Sequence, residues 1–309
     1  MSTFLVTGGA GFIGSNLVHG LLDRGHTVRV LDNLATGRAE NLADVRRRID
    51  FRDADLRDDE AVRDAVNGCD FVLHHAAMPS VTWSVDNPEE SHDVNITGTL
   101  GLLLEARDAG VKRVVFAGSS AVYGNAPELP KVESMLPAPA SPYAIHKLCA
   151  EQYGQVFTSL YGLEVVTLRY FNVFGPRQDP KSDYAAVVPR FIAKMMAGEA
   201  PTIFGDGLQT RDFVHVENVV EANLLACKRP GVAGRAFNIA GGTRITLLEL
   251  VSAMNTILGT RIEPILSAPR PGDIVHSCAD IAEARDGLCF NPSVDLAEGL
   301  RRTIAWYQR

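Results

Sequence analysis

The stretch Phe4-Leu5-Val6-Thr7-Gly8-Gly9-Ala10-Gly11-Phe12-Ile13-Gly14 decides the fold of this chain. A short apolar strand, a glycine-rich turn and the start of an apolar helix succeed one another within it. Glycines lack side chains, so the backbone of such a turn can approach a pyrophosphate closely, and the amino end of the helix adds positive potential. A plain tight turn also accounts for three glycines, so the prediction of dinucleotide binding needs a second signal from another strand.

An acidic residue ends the next predicted strand. Asp32 is placed there to accept hydrogen bonds from an adenosine ribose, although it would also suit a turn before Asn33. Because a carboxylate repels a 2′-phosphate, Asp32 favours NAD over NADP. Arg38 could oppose this preference, but it lies six residues further along the chain, and we do not expect it to act there.

Short apolar runs alternate with helical patterns through the first part of the chain. We predict strands at 4–7, 27–32, 49–54, 71–76, 113–117 and 165–170, and helices near 12–24, 58–67, 89–109 and 142–161. This alternation indicates a parallel sheet covered by helices on both faces.

The regular alternation ends after Asn172. Gly175-Pro176 and the polar residues 177–183 predict a long functional loop. Strand and helix signals return at 212–228 and 236–240, and Thr246 with Glu249 forms a capping box that opens a helix. A proline-rich stretch at 264–273 and a helix near 295–307 complete a smaller C-terminal part.

Composition excludes several classes of function. The 309 residues are 46% hydrophobic and 22% charged, which is typical of one large globular domain or two packed ones. With a net charge of −7 and Arg46-Arg47-Arg48 as the only basic triplet, a nucleic-acid partner is not expected. The five cysteines form no C-x-x-C pair, so we expect reduced thiols in a cytoplasmic protein. Neither a signal peptide nor a membrane span is expected.

A second motif adds reactive side chains. Tyr143 and Lys147 lie four residues apart after Ser141-Pro142, which should open a helix, so both side chains should share one helix face. A neighbouring cation lowers the pKa of a tyrosine, and such a tyrosine can take a proton at neutral pH.

Together the G-x-x-G-x-x-G turn and Tyr143-x-x-x-Lys147 resemble the extended short-chain dehydrogenase/reductase superfamily, nearly from end to end. The resemblance implies an α/β fold with a Rossmann-type doubly wound parallel sheet and a smaller α/β substrate domain. The first domain would span 1–172 and about 212–240, and the second about 173–211 and 241–309. It also implies NAD as the cofactor, held by Gly8, Gly11, Phe12, Ile13, Gly14, Asp32, Asn33, Asp55, Leu56, Ala76, Asn95, Tyr143, Lys147 and Tyr170.

The adjacent histidines His74 and His75 belong to the turn beneath the cofactor in this resemblance. Neighbouring residues on a strand point to opposite faces, so the two imidazoles cannot easily bind one metal ion. We interpret them as packing residues and expect no metal site.

The residues after the fifth predicted strand indicate the reaction. In the family that the chain resembles, the serine four residues before Tyr123 is catalytic, which makes Ser119, Tyr143 and Lys147 the catalytic trio. Related dehydratases and decarboxylases carry an acid just after this serine. Here Ser120 and Ala121 cannot transfer a proton at neutral pH, so the prediction is epimerisation.

The resemblance implies a mechanism for that reaction. Tyr143 would act as a phenolate, stabilised by Lys147 and the nicotinamide cation, and would remove the proton from a sugar 4-hydroxyl. Ser119 would hydrogen-bond that oxygen. The C4 hydride would pass to NAD, give a 4-keto sugar, and return to the opposite face of the sugar.

The residues 169–176 resemble the substrate motif of UDP-sugar epimerases. Asn172, Arg211 and Arg270 match diphosphate-binding residues, and guanidinium groups suit phosphate oxygens. Asp273 matches the acid that holds the uridine ribose, and Phe204 the residue beside the uracil. The substrate-binding residues implied are Ser119, Ser120, Asn172, Gln178, Ala186, Val187, Phe204, Arg211, Arg270, Asp273 and Ser277.

The identity of the sugar depends on Ser277, which matches the position beside the C2 substituent. A tyrosine there excludes an N-acetyl group, whereas serine is small. Residues 177–180 and 184–186 also resemble the subgroup that acts on N-acetylated hexosamines. We therefore predict interconversion of UDP-GlcNAc and UDP-GalNAc, with UDP-glucose and UDP-galactose also accepted.

Two other functions stay open at this point. One is a UDP-glucose or UDP-glucuronate 4-epimerase, and the other is an inactive dinucleotide-sensing regulator, although such regulators usually lose the Tyr/Lys pair. The resemblance finally implies a homodimer that pairs the helices near 89–109 and 142–161.

Overall fold

The computed structural model describes residues 1–180, 186–269 and 275–309. Its strands, in chain order, are β1 (Thr3–Thr7), β2 (Thr27–Leu31), β3 (Asp50–Arg52), β4 (Phe71–His74), β5 (Arg113–Ser119), β6 (Glu164–Tyr170), β7 (Val173–Phe174), β8 (Thr202–Phe204), β9 (Thr210–Asp212), β10 (Val214–His215), β11 (Ala236–Ile239), β12 (Arg244–Thr246) and β13 (Ile265–Ser267).

The α-helices are α1 (Phe12–Asp23), α2 (Asp59–Val66), α3 (Val81–Asp86), α4 (Pro88–His92), α5 (Thr99–Asp108), α6 (Pro142–Tyr161), α7 (Val187–Met196), α8 (Val216–Lys228), α9 (Leu247–Leu258), α10 (Ala282–Leu288) and α11 (Leu296–Tyr307). Short 3-10 turns occur at Ala39–Leu42, Arg46–Arg48 and Ser120–Tyr123, and Asp93–Gly98 is π-helical.

Seven strands form one parallel sheet in the order β3-β2-β1-β4-β5-β6-β11. Consecutive residues of β1 belong to different cores, with Phe4 and Val6 on one face and Leu5 on the other. Helices α1 and α8 contribute to the first core, and α2, α5 and α6 to the second. The predicted doubly wound, Rossmann-type parallel sheet is therefore confirmed.

A third apolar cluster lies outside the large sheet. Helices α7, α9 and α11 pack together around Phe191, Leu250 and Leu300, and β8 adds Ile203. Three two-stranded sheets accompany this part: β10 with β7, β12 with β9, and β13 with β8. The predicted capping box is present, since Thr246 Oγ1 accepts the Glu249 N–H at 3.1 Å and Glu249 Oε2 accepts the Thr246 N–H at 2.7 Å.

The helical pattern predicted near 89–109 is present, but it contains a π-helical segment. The chain runs through α4, the π-helical segment Asp93–Gly98 and then α5. Asn95 lies in the π-helical segment. Its side chain hydrogen-bonds the backbone of Met78, and its backbone carbonyl accepts the Thr99 hydroxyl at 2.8 Å. These contacts replace the regular helical pattern locally, and π-helical turns often accompany functional sites.

All five cysteines of the chain lie in the described parts, and each is a free thiol. Among the described helices, none combines the length and the hydropathy that a membrane span requires.

Candidate active site

The carboxyl ends of the sheet strands collect the predicted site residues at one edge. Gly8, Asp32 and Ala76 come after strands β1, β2 and β4, whereas Ser119 and Tyr170 end β5 and β6. Ser119 and Tyr170 are also partners in the parallel register of those two strands. Ligands of open parallel sheets bind at this edge, so the topology brings the predicted cofactor residues and Ser119, the predicted catalytic serine, together.

The glycine turn after β1 packs against Ala76 and against helix α1, and it is partly exposed at Gly11. Gly8 has φ +68°, and a Cβ there would lie 2.6 Å from Ala76 N. A Cβ on Gly14 would lie 2.1 Å from Gly8 O, so the helix packs directly on the turn. Gly11 is partly exposed, and its backbone therefore offers a surface that a ligand can approach.

Helix α1 begins at Phe12, and its amino end is suited to binding an anion. Within the described residues, no side chain caps this end and no acidic residue lies in its first turn. Ile13 packs against the first core, which fixes the helix on the sheet. The free N–H groups and the helix dipole favour a phosphate at this point, so the turn fits the pyrophosphate of a dinucleotide.

The carboxylate of Asp32 is buried at the end of β2. Its Oδ2 accepts the Ala10 N–H at 2.8 Å, and its Oδ1 accepts the Leu34 N–H at 2.8 Å. Burial raises the pKa of Asp32, and these two backbone hydrogen bonds oppose the rise. Each carboxylate oxygen keeps a further lone pair, so Asp32 retains the capacity to accept a ribose hydroxyl.

Three more of the residues predicted to hold the cofactor are also neighbours. Asn33 Nδ2 donates to Asp55 Oδ2 at 2.7 Å. The Arg57 guanidinium hydrogen-bonds Asp55 and lowers the pKa of that carboxyl to about 2. Leu56 is buried, and a Cβ on Gly98 would lie 3.0 Å from its Cγ.

Asn95 and the two histidines fix the turn after β4. The Asn95 amide accepts the Met78 N–H at 2.8 Å. His74 Nδ1 lies 2.7 Å from Thr7 Oγ1, whereas His75 Nε2 lies 3.0 Å from the Tyr170 hydroxyl. The two imidazoles thus have different partners, in keeping with packing roles. In the described ranges, no three His, Cys, Asp or Glu side chains are grouped as metal ligands.

The three residues predicted to be catalytic meet at the start of α6. Ser141 caps this helix by accepting the Ala144 N–H at 3.2 Å, and Pro142 is its first residue, as predicted. The hydroxyl of Ser119 lies beside the phenol of Tyr143. Lys147 Nζ lies 5.8 Å from the centroid of the Tyr143 ring and donates to Ala117 O at 2.8 Å.

The predicted lowering of the Tyr143 pKa is wrong for the polypeptide alone. Burial raises the pKa of Tyr143, and the neighbouring Ser119 hydroxyl opposes that rise only in part. Burial also lowers the pKa of Lys147 to about 8, so its ammonium is still largely protonated at neutral pH. The ammonium lies closer to the Phe116 ring, at 4.8 Å, than to the Tyr143 ring. The protein without a further cation therefore keeps Tyr143 protonated at neutral pH.

The sequence reasoning missed a residue that holds Tyr143. Ser84 is fully buried on α3, and its Oγ accepts the Tyr143 N–H at 3.1 Å. This N–H lies in the first turn of α6, where it has no intrahelical acceptor. Helix α3 has only six residues, and we found no signal in the sequence that links it to position 143.

A buried polar network behind the trio was also missed. Arg169 Nε donates to Glu151 Oε2 at 2.9 Å, and Arg169 Nη1 donates to the Tyr123 hydroxyl at 2.8 Å. That hydroxyl donates to Asn238 Oδ1 at 2.6 Å. Glu151 lies one helical turn after Lys147, and Tyr123 ends the 3-10 turn that Ser119 caps. The network therefore joins the elements that carry Lys147 and Ser119.

Three of the predicted substrate residues meet around β9. Asn172 Nδ2 donates to Asp212 O at 2.9 Å, and the Ser277 N–H donates to Thr210 O at 3.1 Å. Arg211 is the strand residue between these two acceptor residues. Asn172 also comes shortly after Tyr170, the register partner of Ser119. Strand β9 thus adjoins the edge of the sheet that carries Ser119 and Tyr170.

Phe204 joins this group through Gln209, whose Nε2 donates to Phe204 O at 2.6 Å. Asp212, which the sequence reasoning did not single out, fixes the same strand. Its buried carboxylate accepts the N–H groups of Gly241 at 2.9 Å and Ala279 at 3.2 Å. Burial raises the pKa of Asp212 to about 6.

The other predicted substrate residues lie on separate segments. Gln178 Nε2 donates to Val173 O at 3.4 Å, and Ser120 opens the 3-10 turn after Ser119. Ala186 precedes α7 and Val187 is its first residue. Arg270 and Asp273 lie outside the described residues, as do residues 181–185 of the predicted loop.

Residues 4–240 of the chain match the model of the NAD dependent epimerase/dehydratase family. The chain belongs to this family. A UDP-glucose 4-epimerase of Mycolicibacterium smegmatis is 42% identical over 308 residues, which cover 98% of this chain and 98% of that protein. The predicted superfamily and the prediction of NAD as the cofactor are confirmed by the family match.

Solved structures of related proteins agree with this membership. One is a UDP-N-acetylglucosamine 4-epimerase from Methanobrevibacter ruminantium in complex with UDP-N-acetylmuramic acid. It is 40% identical to this chain with a TM-score of 0.95, and the match covers 99% of this chain and 98% of that one. A UDP-glucose 4-epimerase from Thermus thermophilus, in complex with NAD, has a TM-score of 0.89 and 38% identity and covers 99% of each chain. The epimerase/dehydratase fold of this chain is thus shared with proteins that bind NAD or UDP-linked sugars.

Proposed function

We propose that this protein is a UDP-sugar 4-epimerase that uses NAD and acts chiefly on UDP-GlcNAc and UDP-GalNAc. UDP-glucose and UDP-galactose are accepted as further substrates. The predicted isomerase class is confirmed by relatives named as UDP-sugar 4-epimerases that match the chain over nearly its whole length. The observation that supports the choice of sugar is the small side chain of Ser277 beside the substrate strand β9.

Proton transfer at the sugar is assigned to Tyr143 and Ser119. When bound, NAD supplies an acceptor for the hydride of the sugar C4 and a positive charge on its nicotinamide ring. Tyr143 takes the proton of the 4-hydroxyl and returns it once the configuration at C4 has been inverted. Ser119 lies beside Tyr143 and can hydrogen-bond the same sugar oxygen. Lys147, fixed on Ala117 O, supplies a second positive charge 5.8 Å from the centroid of the Tyr143 ring.

The anchor for the nucleotide diphosphate is assigned to the residues around β9. Asn172 contacts β9 through its amide, and Arg211 lies on that strand with a guanidinium, and both kinds of group can donate hydrogen bonds to phosphate oxygens. Arg270 and Asp273 complete this anchor in the proposal. A fixed diphosphate lets the 4-keto sugar turn over without leaving the protein.

The residues after Ser119 disfavour loss of a group from the sugar. Ser120 and Ala121 occupy the 3-10 turn where an elimination would need an acid. Neither side chain transfers a proton at neutral pH. The oxidised sugar is therefore reduced again at the same carbon, which is epimerisation.

Ser277 is proposed to set the room for the C2 substituent. Its backbone position is fixed because its N–H donates to Thr210 O, and the side chain of His276 lies 3.0 Å from Thr210 Oγ1. Any larger side chain at 277 would extend from this fixed point beside Arg211. A serine leaves room there for an N-acetyl group.

We expect the substitution Ser277→Tyr to lower kcat/KM for UDP-GalNAc by at least about tenfold, the cost of forcing bulk into a packed site. Turnover of UDP-galactose should stay close to wild type, because its C2 hydroxyl needs less room. Steady-state kinetics with both substrates measure this difference. Ser277→Ala is the matched control, because it keeps the site small and should keep both activities. Undiminished turnover of UDP-GalNAc by Ser277→Tyr would refute the role of Ser277.

We also propose a homodimer, a division into an NAD-binding and a substrate-binding domain, and a location in the cytoplasm. The helix pair proposed for the dimer carries exposed apolar side chains, among them Ile145, Val156 and Leu160 on α6 and Leu104 on α5. Such a surface is typical of a covered interface. Five free thiols suit the reducing cytoplasm.

A further inference from the structure

Arg38 lies close in space to the acid at the end of β2. The loop after Asp32 turns back, so that a Cβ on Gly37 would lie 2.8 Å from Asp32 Oδ1. The Arg38 N–H then donates to Ala10 O at 3.0 Å, within the glycine turn itself. The separation of six residues along the chain therefore does not keep Arg38 away from Asp32, contrary to our expectation.

The guanidinium of Arg38 is engaged by a carboxylate from a distant part of the chain. Arg38 Nη1 lies 3.0 Å from Asp179 Oδ2, whereas Glu40 Oε2 is further from Arg38, at 3.8 Å from Nε. Guanidinium groups bind carboxylates and phosphates through the same planar set of donors. Asp179 therefore occupies donors that would otherwise suit a phosphate.

The backbone around Asp179 is held in place by its neighbours. Asn16 Nδ2 donates to Pro176 O at 3.0 Å, and Arg177 Nη1 donates to Asn16 Oδ1 at 3.0 Å. The Tyr307 hydroxyl donates to the carbonyl of Gln178. An exposed ion pair usually contributes little because two mobile side chains must be ordered. Here the backbone next to Asp179 is already anchored, so less conformational freedom is lost when Asp179 pairs with Arg38.

We infer that Asp179 is a specificity-determining residue that favours NAD over NADP. Asp32 disfavours a 2′-phosphate by repulsion, and Asp179 removes the nearby cation that could compensate for it. The two carboxylates thus act in the same direction from different segments of the chain. This inference goes beyond the proposed reaction, since it concerns the dinucleotide and is independent of the sugar.

The test is the nucleotide content of the protein as purified. Nucleotides are extracted from wild type and from Asp179→Ala, and NAD and NADP are quantified separately by enzymatic cycling. We expect the NADP to NAD ratio to rise about tenfold in Asp179→Ala, because a charge-assisted hydrogen bond to phosphate becomes available. NAD should stay in excess, since Asp32 is unchanged.

Three further variants make the result decisive. Arg38→Ala combined with Asp179→Ala should return the ratio to the wild-type value. Asp44→Asn removes an exposed carboxylate whose partner is His19, and it should leave the ratio unchanged. If Asp179→Ala fails to fold, Asp179→Asn serves in its place, with a smaller rise expected. An unchanged ratio in the folded Asp179 variant, or a rise that persists in the double variant, would overturn the inference. No sugar is present in this measurement, so its failure would leave the proposed epimerase reaction untouched.

Discussion

Replacing Tyr143 by Phe lowers kcat by about 10² to 10⁴-fold, the contribution of one positioned acid–base group. The phenol lies beside Ser119, and buried Ser84 accepts the Tyr143 N–H, which fixes the start of α6 before substrate binds. Phenylalanine keeps the ring and loses the proton acceptor. We therefore expect kcat to fall while KM for the UDP-sugar changes little. Initial rates of epimerisation at saturating substrate measure this effect.

A matched control lies on the same helix. Tyr153 is partly buried and packs against the second core of the sheet, away from Ser119. Tyr153→Phe makes the same chemical change on α6 and should keep kcat close to wild type. Equal activity of Tyr143→Phe and wild type would show that Tyr143 does not carry the proton.

Replacing Arg169 by Met lowers the free energy of unfolding by about 3 to 5 kcal/mol, the cost of leaving one partner of a buried ion pair unpaired. Arg169 and Glu151 are 4% and 1% exposed, so water cannot replace the lost guanidinium. The substitution also removes the donor to the Tyr123 hydroxyl. Urea titration followed by circular dichroism measures the change in stability.

Two comparisons separate the buried charge from general damage. Arg169→Met combined with Glu151→Leu removes both charges and should recover much of the lost stability, because an apolar pair can replace a buried ion pair. Arg301→Met removes an exposed partner of Glu298 and should cost less than about 1 kcal/mol. If Arg169→Met were as stable as wild type, the buried pair would not join α6 to β6 in the way described.

The parts of the fold that depend on local patterns were predictable. The strand Thr3–Thr7, the glycine turn and the helix Phe12–Asp23 agree with the sequence within one residue, because apolar runs and glycines act on their immediate neighbours. The position of the candidate site at the carboxyl ends of the strands was also predictable, because the predicted strands are parallel. Hence Asp32 and Ser119 could be placed in the site without coordinates.

The residues that support the site depend on contacts between distant parts of the chain. Ser84 meets Tyr143 across 59 residues, and Glu151 meets Arg169 between a helix and a strand. Neither contact leaves a periodic pattern. The pair of Arg38 and Asp179 joins even more distant segments, which is why the sequence distance from Asp32 was misleading.

The protonation of Tyr143 illustrates another limit of the sequence. The spacing to Lys147 was correct, since both side chains belong to one end of α6. Desolvation depends on the packing around the phenol, however, and it raises the pKa of Tyr143. The sequence places two groups near each other, whereas the sign of the pKa shift requires the surrounding atoms.

The most direct measurement monitors the anomeric proton signals of a UDP-sugar incubated with purified protein and no added NAD. We predict that UDP-GlcNAc gives the signals of UDP-GalNAc, and that UDP-glucose gives those of UDP-galactose to a smaller extent. A new 4-epimer from UDP-glucuronate alone would instead identify the uronate as the substrate. If no 4-epimer formed from any of the three sugars, even with NAD supplied, the proposed reaction would be contradicted.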